Sequence, residues 1–159
     1  IAFVSDAGTP GISDPGARVV NAVRAAGYKV IPIPGVSALT TLISVTGFVG
    51  KTFTFEGFLS PRKGRRKKRL QELLEREEAF VLYESPFRIV KLLEEIAELA
   101  PQRRLLVGRE MTKSFEEFLD GTASDIAASL SGRPAIKGEF ALCVSPCVAN
   151  AEDEEGEAD

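Results

Sequence analysis

Two stretches of this sequence hold residues whose types and spacing suit chemistry. The first runs from Ser5 to Gly16 as Ser-Asp-Ala-Gly-Thr-Pro-Gly-Ile-Ser-Asp-Pro-Gly. Its side chains are small, and its glycines let a backbone approach a ligand closely. The second places seven positive charges in eight positions: Arg62, Lys63, Arg65, Arg66, Lys67, Lys68 and Arg69. Such a knot suits contacts to phosphates that position a nucleic acid without reading its bases. The plainer alternative is a solvated basic helix end. The glycine-rich loop is not a dinucleotide fingerprint, since G-x-G-x-x-G is absent, and it holds no G-K-[ST] of a phosphate-binding P-loop. On physical grounds alone it is a tight turn before a helix, with Asp6 and Asp14 as caps, as readily as a ligand site.

The chain contains no histidine. That excludes an imidazole base, a histidine metal ligand and a Ser-His-Asp triad. Cys143 and Cys147 lack partners for a zinc site, so no metal is expected and the thiols fit a reducing cytoplasm. With 159 residues, 44% hydrophobic and 27% charged, the sequence has the composition of a water-soluble globular protein, and no apolar run reads as a membrane span. The net charge of −3 conceals the basic knot and an acidic close at Glu152, Asp153, Glu154, Glu155, Glu157 and Asp159. Residues 148–159 are expected to be a disordered tail.

The elements that must position these residues follow from pattern. Ile1 to Val4 reads as a buried strand emptying into the glycine-rich loop, so the chain opens inside a domain. A helix follows, with Asp14 as N-cap, Pro15 at its first position, Val19, Val20 and Val23 on one face, and Gly27 as its stop. Lys29 to Ile33 reads as a second strand. Ser37 caps a helix to about Thr46 with Leu39, Leu42 and Ile43 as its stripe. This alternation is that of parallel α/β units. Beyond a linker at Gly47 to Lys51 the pattern predicts strands at Phe53–Phe58, Ala79–Tyr83, Arg104–Arg109 and Glu139–Val144. Helices are predicted from the basic segment to Arg76, over Pro86–Leu99, and in short stretches at Phe115–Leu119 and Ser124–Leu130. In open α/β sheets ligands bind at the carboxyl ends of strands, where the glycine-rich loop would lie.

Asp6 to Gly16 resembles the glycine-rich signature of the tetrapyrrole methylase superfamily, in the form typical of its branch that methylates small-subunit ribosomal RNA. Five further blocks resemble that branch in the expected order. They are Pro34-Gly-Val-Ser-Ala38, Phe55-Glu-Gly-Phe-Leu59, Tyr83-Glu-Ser-Pro-Phe-Arg88, Gly108-Arg-Glu-Met-Thr-Lys113 and Lys137-Gly-Glu-Phe140. The resemblance covers nearly everything except the acidic tail. Two positions depart from it, since the family more often has proline where Val36 stands and histidine where Phe87 stands.

The resemblance implies two α/β domains with S-adenosylmethionine in the cleft between them. Residues 1–47 would be the latter part of the first domain, which is incomplete, and residues 52–147 the second. An earlier strand and loop would contribute to the same cleft. Carried over by motif, Asp6, Ala7, Gly8, Thr9 and Pro10 would line the cofactor, with Ser37 and Ala38 from the next strand end. Phe58, Tyr83, Gly138 and Glu139 would approach from the second domain, although Phe58 and Tyr83 equally suit a core. The implied reaction is 2′-O-methylation of a cytidine ribose in bacterial 16S ribosomal RNA. It needs a donor and an acceptor oxygen held in line, and a path for the hydroxyl proton. Without histidine, the groups that could take that proton are Glu84, Glu110, Lys113 and Glu139, each of which also suits an ion pair or a cap. The basic knot matches the family's Gly-Arg-Arg-Lys region, which favours RNA as its partner. The family also implies a homodimer. Two rivals remain open: a C-methyltransferase of a tetrapyrrole, and an incomplete fragment that keeps only an RNA-binding or dimerisation surface.

Overall fold

The computed structural model describes residues 1–6 and 8–147. Ala7 and the acidic tail therefore lie outside the described residues. The sheet is built from β1 (Phe53–Phe58), β2 (Ala79–Glu84), β3 (Arg104–Arg109), β4 (Glu117–Thr122) and β5 (Phe140–Val144), in the order β1-β2-β5-β3-β4. β1 and β2 run parallel, and the pairs β2–β5, β5–β3 and β3–β4 are antiparallel. α3 (Lys63–Leu74) provides the crossover that the parallel pair requires.

The three central strands read as continuous apolar runs because both faces of the sheet are covered. Alternate side chains separate into two cores, as the two-residue period of a strand dictates. Phe80 and Leu82 of β2, Leu105 and Val107 of β3, and Phe140, Leu142 and Val144 of β5 meet α3, α4 (Ile89–Leu99) and α5 (Ala123–Ser131). On the opposite face Ala79, Val81, Leu106, Ala141 and Cys143 meet Leu42 of α2 (Ala38–Ile43), with Leu39, Ile43, Phe48 and Val49 packed around them. The second face carries the smaller residues, which leaves room at its end for the cleft described below. Burial pushes the Cys143 thiol up to about 12, so it is an inert core group, whereas Cys147 is exposed.

Several expectations need correction. Ile1–Val4 and Lys29–Ile33 are not strands: neither has a ladder partner among the described residues, and Val4 and Ile33 are each 80% exposed. An apolar run becomes a strand only when another strand satisfies its backbone, so the parallel pattern expected of the first 47 residues is not formed there. The first helix, α1 (Ala17–Ala25), starts after Gly16 and not after Asp14, with Pro15 outside it and no side-chain cap. Of its expected stripe, Val19 is exposed and Val20 and Val23 are half-buried. Its end is as expected: Gly27 at φ +78° closes a Schellman turn in which the Gly27 and Tyr28 N–H groups donate to the Arg24 and Val23 carbonyls. α4 begins at Ile89, preceded by a turn in which the Arg88 and Ile89 N–H groups donate to the Ser85 carbonyl.

The predicted helix at Phe115–Leu119 is instead the start of β4. Pairing with β3 sets Glu117 opposite Arg109, and Asp120 holds Arg104 through two bonds of 2.9 and 2.6 Å. Opposite charges across a ladder favour the strand over a short helix that few apolar residues support. α5 is fixed by a capping box, with the Asp125 N–H donating to Thr122 Oγ1 at 3.3 Å and the Asp125 carboxylate accepting from the Thr122 N–H and hydroxyl. Thr122→Ala is expected to cost about 1 kcal/mol, and a thermal melt should fall by about 2–4 °C. An unchanged midpoint would mean that the cap is not made in solution.

Candidate functional site

One end of the sheet opens into a cleft of about 620 Å³. The carboxyl ends of β1, β2 and β3 and the amino end of antiparallel β5 all point there, so their connecting segments form one wall. The glycine-rich loop and the segment entering α2 form the other. Thr9 Oγ1 donates to the Val36 carbonyl at 3.2 Å and joins loop to segment. Gly57, at φ +70° beside an irregularity in the β1–β2 register, allows the loop to reach the sheet: a Cβ there would stand 2.5 Å from Ser13 Oγ.

The cleft gathers most of the residues that the sequence pointed to. From the loop come Asp6, Gly8 and Thr9, and from the entry to α2 come Ser37 and Ala38. Phe58, Tyr83, Gly138 and Glu139 come from the sheet side. Pro10 is not among the lining residues, and Ala7 is outside the described ones. Ile12, Ser13, Val36 and Thr41 also line the cleft, as do Ser85, Pro86, Met111 and Thr112, although none was among the cofactor residues expected from sequence. The signal for the latter four was their place just after a strand, inside blocks already marked by motif.

Tyr83 serves both packing and lining. Its ring meets Phe55 and Phe58 edge-on at 5.1 and 5.8 Å between centroids. Burial raises its phenol above the ordinary tyrosine value, and hydrogen bonding from the Leu39 backbone and the Ser37 side chain offsets part of that rise. Ser37 thus stands at the N-cap position of α2, but its side chain does not cap the helix.

Glu84 is 2% exposed. Its Oε1 accepts from the Ser85 N–H at 2.7 Å and from Arg88 Nε at 2.8 Å. Its Oε2 is buried and has no hydrogen-bond partner. An unpaired buried acceptor costs about 1–3 kcal/mol. The side chain is fully buried and, alternating with Tyr83 along β2, faces Arg66 of α3 on the far side of the sheet and not the cleft.

The remaining titratable candidates form one cluster. Lys113 Nζ lies 3.1 Å from Glu110 Oε1 and 2.9 Å from Glu139 Oε2, and the Glu139 N–H donates to Glu110 Oε1 at 2.8 Å. Glu139 first and Glu110 second hold the Lys113 ammonium above its ordinary range. The Glu139 N–H and then Lys113 hold the Glu110 carboxyl below its own. Lys113 is therefore a charged donor at neutral pH and not a proton acceptor. Glu110 and Thr112 occupy left-handed backbone at φ 49° and 65°, strain of a kind that collects at functional sites.

The basic knot divides in two. Arg66 is buried, with its Nε and Nη2 on Glu95 at 2.7 and 2.6 Å and its Nη1 on the Pro61 carbonyl. Arg69 is held by Glu56 and Glu72, and Lys67 faces Glu98 at 3.8 Å. Arg62, Lys63, Arg65 and Lys68 are exposed and make no ion pair among the described residues. Lys91 of α4 joins this face, since it and Lys63 both act on the Glu95 carboxyl behind Arg66. Three of the seven cations thus have ion-pair partners, Arg66 and Arg69 through several hydrogen bonds, and Lys91 outside the knot adds a cation to the face.

This arrangement matches known proteins. A 50% identical relative, a "Ribosomal RNA small subunit methyltransferase I" of Borrelia garinii subsp. bavariensis, aligns over 91% of this chain, which spans 65% of that relative's length. Among solved structures the methyltransferase CobJ superposes with a TM-score of 0.64 at 21% identity, over 88% of this chain and 62% of CobJ. A uroporphyrin-III C-methyltransferase of Thermus thermophilus, solved with S-adenosyl homocysteine, superposes with 0.56 at 17% identity, over 87% of this chain and 62% of that one. At such identities the likeness is one of fold. The family model for tetrapyrrole (corrin/porphyrin) methylases matches residues 1–127, which include most of the cleft residues. This chain belongs to the tetrapyrrole methylase family.

Proposed function

We propose that the chain binds S-adenosylmethionine in the cleft and methylates the 2′-hydroxyl of a cytidine ribose in bacterial small-subunit (16S) ribosomal RNA. The observation that carries this reading is a cleft of about 620 Å³ that gathers the glycine-rich loop, the entry to α2 and the strand ends. Its volume suits a cofactor of this size. The free cations of α3, which follows the end of β1, support a nucleic acid as acceptor. The sequence likeness to the Borrelia relative, which is named for ribosomal RNA, supports that acceptor over a tetrapyrrole. In the same reading residues 1–47 and 52–147 are the two domains that face each other across the cleft, and the protein works as a homodimer in the cytoplasm.

The chain's own residues fit the cofactor. Gly8, Ser37 and Ala38 leave a floor without bulky side chains, and Phe58 and Tyr83 offer aromatic faces. S-adenosylmethionine, when bound, supplies a methyl group already activated on its sulfonium. The chain's task is then mainly to hold the acceptor in line and exclude water. Lys113, fixed between two carboxylates, presents positive charge where a hydroxyl loses its proton, and Glu139 keeps acceptor capacity toward solvent.

The test is transfer of a labelled methyl group to small ribosomal subunits that lack their native methylation. This chain should be run beside a form extended to the length of the Borrelia relative. Label in a cytidine ribose is the expected result. Absence of label from ribosomal RNA with both forms, or label in a tetrapyrrole acceptor instead, would overturn the assignment.

A further inference from the structure

We propose that Phe87 and Phe115 are stacking platforms for unpaired bases, so that the cleft takes its RNA as a single strand and not as a duplex. This rests on the RNA reading above and specifies the form in which the substrate is bound. Phe87 is 93% exposed and Phe115 74% exposed. Neither ring meets another aromatic ring among the described residues. Phe87 directly follows Pro86, and Phe115 stands two residues after Lys113; both of those neighbours line the cleft.

Their segments leave the sheet from β2 and β3, which flank β5 on either side. The two parent strand ends therefore lie about 10 Å apart, twice the spacing between neighbouring strands. The two rings thus stand on segments that leave strand ends on either side of β5, beside residues that line the cleft. The bases of an unpaired RNA strand are splayed out and take up stacking partners on a protein. Exposed aromatic rings supply them without regard to sequence. Charge complementarity points to the same occupant. Phe87 precedes α4, whose Lys91 shares a basic face with Lys63, and the free Arg62, Arg65 and Lys68 continue it. Phosphates tracking that face would bring their bases to Phe87. A second protein copy docking on these rings would have no use for the cations.

The test uses fluorescence titration of the full chain with a short oligocytidine, an RNA duplex and inorganic polyphosphate. The wild type should bind the oligocytidine more tightly than the duplex. Phe87→Ala and Phe115→Ala should each weaken oligocytidine binding by about tenfold, while duplex and polyphosphate binding and the salt dependence stay as in the wild type. Phe87→Trp should restore the affinity. Because the chain has no tryptophan, its emission reports stacking directly: oligocytidine should quench it and polyphosphate should not. Equal losses on all three probes, no loss, or an unquenched tryptophan would overturn the proposal. So would a shift in sedimentation of the RNA-free variants, which would assign the rings to contact between copies. Failure of the wild type to bind either RNA would remove the ribosomal reading as well. Binding of both RNAs without effect of the Phe variants would remove only the stacking.

Discussion

Arg66→Ala is expected to lower folding stability by about 3–5 kcal/mol, the range for leaving one partner of a buried ion pair uncompensated. Arg66 is 4% exposed and Glu95 7% exposed, and the guanidinium grips the carboxylate through two parallel bonds. Removing the arginine strands a carboxylate between α3 and α4, beside the packed Leu70, Leu92 and Ile96. Replacing both partners by apolar side chains, as in Arg66→Met with Glu95→Leu, should recover much of the loss. Urea unfolding at pH 7 measures each variant. A loss below about 1 kcal/mol, the range of exposed pairs, would return Arg66 to the set of free cations.

The pH dependence separates the variants further. Hydrogen bonding from Arg66 holds the Glu95 carboxyl below its ordinary value of 4.5. A depressed carboxylate stabilises the folded state above the unfolded pKa and loses that contribution as pH falls through the folded one. The wild type should therefore weaken on acidification below about pH 5. In Arg66→Ala the burial of Glu95 is no longer offset by its main partner, so protonation relieves the buried charge. The gap between the two proteins should narrow from pH 7 to pH 4. A constant gap would place the cost in lost packing by the arginine's aliphatic stem.

The second large effect is expected at the cleft wall. Gly138 has φ +99°, and a Cβ there would stand 2.6 Å from Glu110 Cγ. Glu110 cannot retreat cheaply. It accepts from the Glu139 N–H and from Lys113, and its own backbone is already in the left-handed region. Gly138→Ala should therefore release the Lys113 cluster. With strain of about 1–3 kcal/mol appearing in the bound state, S-adenosylmethionine affinity by calorimetry should fall about tenfold or more. Gly27→Ala is the control: its φ is +78°, but nothing lies within 4 Å of a Cβ there and it caps α1 away from the cleft. It should cost stability and leave affinity unchanged. Equal affinities for wild type and Gly138→Ala would dissociate this wall from the cofactor.

Much of the second half of the fold was legible because its signals are local or periodic. The runs at Ala79–Glu84 and Phe140–Val144 are apolar and bounded by turn residues, and each finds a ladder partner in the sheet. Glu117–Thr122 was misread because its strand character comes from pairing with β3, which residues in sequence order do not display. The same holds in reverse for Ile1–Val4 and Lys29–Ile33, whose apolar runs found no ladder partner among the described residues.

The candidate site divides along the same line. The sequence by itself determined the glycine-rich loop, the blocks at the strand ends, the exclusion of histidine chemistry and the clustering of positive charge, since these are properties of residue type and order. Only the tertiary structure decided that Glu84 is buried with an orphaned oxygen, and that Lys113 is locked between Glu110 and Glu139. It also decided that Arg66 and Arg69 belong to ion pairs while Lys91 joins the free cations. The physical reason is that charge chemistry is set by partners within a few ångströms and by access to water. Both are fixed by residues 29 positions away for Arg66 and 26 positions away for Lys113, and a linear sequence carries the charges without their neighbours.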